Sequence, residues 1–425
     1  MRDGSQTVIG WSTTLRAEDN PTFGGSAGSS LALLNRLSFG FTRENSTSRF
    51  DLDVTGAFDA INYSDAASVS EFTGPTARVA FSTQGTDLIL RATANYAETT
   101  IDTITGLTFS EDEGLGFEFG EGSVVRTGAT LALIYGEDLP FGAAFNLKFD
   151  DRDYTDTIDP DYFDRTSTTG SLDLHFQVSP NISIKPYYSV TDYDADDLSG
   201  TSTLTTRFGV DSDLVVSDVL AFEVGVGTTR IDRTTTAPAL TSETSNTVWS
   251  VAAQRDVPDG SHRVSLKREL ANAGPRTTLT YNHDIELPVA ALSYGIGLTR
   301  RANGGDVVVA SLSYSLPLPE GIVTAGLTRE VVTDADGDEE LTSNFSASYS
   351  RQVNESSSLT FSLNGAELSD DTTQYALGAS YSRALTSDWN LTAGVQHRSI
   401  TEVGSDRETS NAIYVTVNRQ WIARQ

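Results

Sequence analysis

The residues best suited to chemistry are charged side chains that recur inside alternating, β-like stretches. Arg78, Arg91, Lys148, Lys185, Arg207, Arg263, Lys267 and Arg398 all fall on the polar parity of their segments. Asp51, Asp53, Asp150, Asp173 and Glu269 fall on the same parity. Facing charges along a wet passage set a transverse field and select solutes. The same groups can also simply pair and fill a wide interior. A second candidate is Asp334-Ala335-Asp336-Gly337-Asp338-Glu339-Glu340. It offers oxygen ligands at Asp334, Asp336 and Asp338, but not the full calcium-loop spacing, with glycine sixth and glutamate twelfth. A solvated acidic loop is the plainer reading, with weak divalent-cation binding as its functional alternative.

Other chemistries find little support. His175, His262, His283 and His397 show no His-x-x-x-His or Glu-x-x-His spacing, so no metal site is expected. Cysteine is absent, which removes disulfides and thiolate nucleophiles. No Gly-x-Ser-x-Gly elbow occurs. The chain is expected to be neither an enzyme nor a cofactor carrier. A formal net charge of −29 argues against a general nucleic-acid surface.

What must position the charged residues is a set of strands. In residues 374–383, Tyr375, Leu377, Ala379 and Tyr381 share one parity. Gln374, Ala376, Gly378, Ser380 and Ser382 share the other. Successive side chains of a strand point to opposite faces, so one face is apolar with an aromatic at each end. Lipid on one side and a wet lumen on the other fit that division, with the aromatics near the headgroup levels. Comparable alternation runs from Ile9, Trp11 and Leu15 to Ile413, Val415, Val417 and Trp421. It predicts about 22 strands, within about 18 to 24. No amphipathic helix is evident, and no run of roughly 18 apolar residues exists.

The connections alternate short and long. Short ones include 44–46, 84–86, 179–181, 258–260 and 387–388. Long ones include 20–30, 62–74, 101–122, 155–166, 192–200, 234–246 and 333–340. Outer-membrane barrels have short periplasmic turns and longer external loops. Both termini are therefore expected in the periplasm, and the long acidic loops outside. The opening Met1-Arg2-Asp3-Gly4 carries no apolar targeting segment and reads as a mature form.

The fold expected is all-β: one transmembrane, antiparallel, up-and-down barrel over residues 1–425. Barrels of 22 strands in large outer-membrane transporters hold a plug. The few residues before the first strand predict no plug domain here. Residues 101–122 are the candidate constriction, through Phe109, Glu111, Asp112, Glu113, Phe117 and Phe119.

These strands, with the closing segment 411–421, resemble bacterial outer-membrane β-barrel proteins, and the porins of proteobacteria among them. Such families end on an amphipathic strand that closes with an aromatic. Here Trp421 is followed by Ile422-Ala423-Arg424-Gln425, so the aromatic is not terminal. The resemblance implies insertion by the barrel assembly machinery and contact with outer-membrane lipid and lipopolysaccharide. The function expected is a channel: a porin-like diffusion pore, or a translocation pore for a polar or polymeric solute. The alternatives are a surface-exposed structural or adhesive barrel with a closed lumen, and a soluble all-β repeat protein.

Overall fold

Alternation of apolar and polar residues becomes a closed sheet of 22 strands. The computed structural model describes residues 4–21, 28–100, 109–110, 114–115, 122–157, 163–302, 304–333, 339–367, 373–401 and 407–424. In chain order the first strands are β1 (Gly4–Asp19), β2 (Ser29–Glu44), β3 (Ser48–Tyr63), β4 (Val69–Gln84) and β5 (Leu88–Thr100). Two-residue segments β6 (Phe109–Ser110) and β7 (Gly114–Leu115) pair only with each other. The wall resumes with β8 (Ser123–Tyr135), β9 (Phe141–Thr155), β10 (Arg165–Ser179), β11 (Ile182–Ala195), β12 (Thr201–Ser217) and β13 (Leu220–Thr236). Next come β14 (Ala239–Val257), β15 (Gly260–Ala271), β16 (Gly274–Leu287), β17 (Ala290–Arg300), β18 (Asp306–Leu318) and β19 (Gly321–Thr333). The last are β20 (Glu339–Asn354), β21 (Ser357–Glu367), β22 (Thr373–Ala384), β23 (Trp389–Thr401) and β24 (Glu408–Arg424).

Every wall strand pairs antiparallel with its sequence neighbours in the wall. The ring closes where β1 meets β24, from Gln6 opposite Arg424 to Asp19 opposite Asn411. Closure removes the open edges that a flat sheet would expose. The near end holds Gly4 and Arg424. Its connections are short, from 218–219 up to 136–140. Gly136 opens the longest of them at a φ of 67°, which suits a residue without Cβ.

The far end carries the longer connections 20–28, 101–122 and 156–164. Two expectations there are corrected. Residues 234–246 are not a long loop. They belong to β13 and β14, joined by the two residues 237–238, with β14 continuing past the last rung it shares with β15. Ala239 to Ser245 are exposed on both faces, so no apolar parity marks them as strand. Residues 62–74 are likewise mostly β3 and β4, with 64–68 between them.

No dry core lies between sheets. Leu131, Phe361 and Leu377 are 37%, 44% and 45% exposed, and the rest of the apolar parity behaves alike. The polar parity is the concave one, because its side chains meet across an intervening strand. Arg16 of β1 reaches Gln396 of β23 at 3.0 Å, past β24. Arg263 of β15 reaches Glu223 of β13 at 2.5 Å, past β14. Short charged side chains converge more readily on the concave side of a barrel, where neighbouring strands tilt toward one another. The apolar face is therefore the outside.

Aromatics gather on that outer face. Near the β1–β24 seam, Trp11 meets Trp389 edge-on at 6.0 Å. Arg419 lies over Trp389 at 5.1 Å and over Trp421 at 4.6 Å. Cation–π contact of this kind holds an arginine where an apolar band ends. Tyr135, Phe141 and Phe176 continue the near-end girdle. At the far end, Arg407 covers Tyr375 at 4.8 Å.

Candidate functional site

The inner wall of β10 to β16 carries the densest set of charged groups. Period-two alternation turns Asp173, Lys185, Arg207, Arg263 and Lys267 inward from separate strands. Register then sets their partners. Lys185 pairs with Asp213, which also accepts from Ser183 Oγ at 2.9 Å. Arg263 grips Glu223 with both terminal nitrogens, at 2.7 and 2.5 Å. Lys267 and Arg276 share Glu269, and Arg276 Nε donates to it at 2.8 Å. Arg276 Nη1 also donates to the Val331 carbonyl at 2.9 Å.

Two alcoves open along this wall. One, of about 440 Å³, is bordered by Tyr187, Arg207, Asp211, Lys267 and Glu269. The other, of about 450 Å³, is bordered by Asp173, His175, Lys185, Tyr187 and Asp211. Tyr187 lies over a floor of glycine. A Cβ at Gly209 or Gly227 would sit 2.5 Å from its hydroxyl, so those glycines let the ring lie flat. Basic and acidic groups are interleaved on one stretch of wall rather than set on opposite walls. Most of these pairs are well exposed, and exposed pairs add only about 0–1 kcal/mol of stability each. Interleaved exposed charges set a local field along this stretch of wall.

The other expected residues lie in a separate sector or between the two. Arg49 donates to Asp51 at 2.7 Å, and Arg78 stands opposite Asp53 in the β3–β4 ladder. Arg91 and Lys148 occupy the wall between the sectors, facing the same interior. Arg78, Asp53, Arg91, Lys148, Asp173, Lys185, Arg207 and Lys267 are all exposed within the barrel. Phe109 falls in the short β6–β7 ladder. Glu111, Asp112, Glu113, Phe117 and Phe119 lie outside the described residues, as do Asp334, Asp336 and Asp338.

Toward the far end the inner wall changes character. Glu18 has no exposed side-chain surface. It takes Arg16 Nε at 2.8 Å, Arg398 Nη2 at 2.5 Å and Ser410 Oγ at 2.6 Å. These groups come from β1, β23 and β24 and tie the seam together. Inward-facing Ala32, Ile61, Ile231 and Ile400 are buried at the same end. Exposed charges thus line the inner wall from its middle to the near end, and buried inward side chains gather at the far end, beside a cavity of about 1020 Å³ that reaches Glu18 and Ser30. Arg398 was legible as a wet-face residue. Glu18, Asp211, Asp213 and Glu223 were not singled out, although each falls on the inward parity that could have found them.

No family model matches this sequence, and no curated protein matches it. Solved structures do match the fold. The FrpB iron transporter of Neisseria meningitidis aligns with a TM-score of 0.63 at 8% identity, over 99% of this chain and 82% of that one. The ferric-catecholate import receptor Fiu of E. coli K12, in its open form, gives 0.61 at 11% identity, over 99% and 82%. A mutant of the ferric enterobactin receptor PfeA of Pseudomonas aeruginosa gives 0.58 at 10% identity, over 98% and 80%. At these identities the likeness is one of fold. This chain has the 22-stranded barrel of bacterial outer-membrane receptors.

Proposed function

We propose that this barrel sits in the outer membrane and transports a polar solute through its lumen. The observation that carries the reading is the sorting of one closed wall: charges converge inward while exposed Leu, Val, Ile and Phe cover the outside. Water and lipid are the two solvents that stabilise such a wall. The solved structures of like fold are named as iron transporters and siderophore receptors, which agrees with transport as the coarse class. The near end, with its short turns and both described chain ends, faces the periplasm in this reading.

A second reading has its own observation. The buried inward side chains at the far mouth favour a lumen closed at the surface, as in a structural or adhesive barrel. Planar-bilayer recording separates the two. The transport reading predicts current through the reconstituted barrel, with selectivity shifted toward cations in Arg91→Glu and Arg207→Glu. Silence from a folded, inserted barrel, or selectivity indifferent to both substitutions, would favour the closed structure.

A further inference from the structure

One row of residues on the outer face does not fit a purely apolar surface. Arg255 of β14 stands opposite His262 of β15, His262 opposite His283 of β16, and His283 opposite Tyr294 of β17. All four share the parity of Val251, Leu266, Leu279 and Ile296, which is the outward one. Arg255 follows Trp249, Val251 and Ala253, so it stands where the apolar run of β14 ends near the termini. It is exposed, and no described residue forms an ion pair with it. At the level of the rim such a charge costs only about 0–1 kcal/mol, and an exposed guanidinium with no counter-ion among the described residues is open to an anion from outside the protein.

The histidines beside it stack on each other and each meets a phenol. Their rings stack with centroids 4.0 Å apart and planes 27° from parallel. His262 Nδ1 meets the Tyr281 hydroxyl at 2.9 Å, and His283 Nδ1 meets the Tyr294 hydroxyl at 3.1 Å. In the tautomer in which each phenol donates to Nδ1, the ring proton stands on Nε2. Two neutral imidazoles then each keep one N–H free for an acceptor. Stacking alone would hold neutral rings together, but it would not account for an unpaired guanidinium in the same row.

We propose that Arg255, His262 and His283 bind the phosphate of an anionic glycerophospholipid at the near-end rim of the barrel. The phosphodiester would accept a charge-assisted hydrogen bond from Arg255 and N–H bonds from the imidazoles. Tyr281 and Tyr294 position the rings and touch the acyl region. The site rests on the outer-membrane reading above, and the near end then lies in the leaflet that faces the periplasm.

The test is native mass spectrometry of the full chain in detergent, titrated with phosphatidylglycerol, phosphatidylcholine or lipopolysaccharide. The wild type should retain phosphatidylglycerol in preference to phosphatidylcholine. A barrel carrying Arg255→Gln, His262→Gln and His283→Gln should lose about tenfold in that preference, whereas Arg383→Gln should keep it. Equal retention by the triple variant and the wild type would overturn the site, as would lipopolysaccharide displacing the phospholipid. Failure of the membrane reading shows differently: a folded barrel that does not enter phospholipid bilayers at all.

Discussion

Glu18 sits between two guanidinium groups with its side chain fully buried. Removing its carboxylate would leave Arg16 and Arg398 facing each other, both mostly buried. Breaking a buried pair from one side costs about 3–5 kcal/mol, because the remaining charge stays desolvated. Glu18→Ala is therefore expected to lower the unfolding midpoint of the lipid-embedded barrel in urea, with Glu18→Gln falling between. A midpoint equal to that of the wild type would mean the cluster is not load-sharing at the seam. This network could not be read from spacing. Parity places Arg398 on the wet face, but Glu18 lies 380 residues away, and closure of β1 onto β24 alone makes them neighbours. The same holds for His262 and His283, which look scattered in sequence and stack across one ladder rung.

Strands were far more legible than contacts. Where one face meets hydrocarbon, as in β22, alternation of large apolar and small polar residues is strong enough to count strands. The start of β14, residues 239–245, is exposed on both faces, and there the signal vanishes into Thr and Ser. The extension of β13 and β14 also weakens the tidy sorting of loops, since 237–238 and 272–273 are as short as any near-end turn. The asymmetry of the remaining connections is the basis of the proposed orientation, with the far end outside. Leu198 lies in the far-end connection 196–200 and is 86% exposed, whereas Val289 lies in the near-end turn 288–289 and is 69% exposed. On intact cells an impermeant thiol reagent should label Leu198→Cys and leave Val289→Cys unmodified. The reverse pattern would place the termini outside.

Taken as a whole molecule, the barrel is a boundary between two solvents. The outer wall needs hydrocarbon to cover side chains such as Phe72 and Phe208, at 67% and 55% exposure. The inner wall needs water for its interleaved charges. In the transport reading, solute identity is not encoded in either periodicity, because it would depend on how β10 to β16 are brought into register. Absence of native cysteine makes the division directly measurable. Single cysteines in the bilayer-embedded barrel would be placed outward at Leu131, Phe361 and Leu377, and inward at Thr130, Thr360 and Ser380. A fluorophore at each outward site should be quenched by a lipid-borne nitroxide and ignored by a water-soluble quencher, with the inward set behaving oppositely. Identical quenching of both sets would contradict a wall with lipid on one side and water on the other.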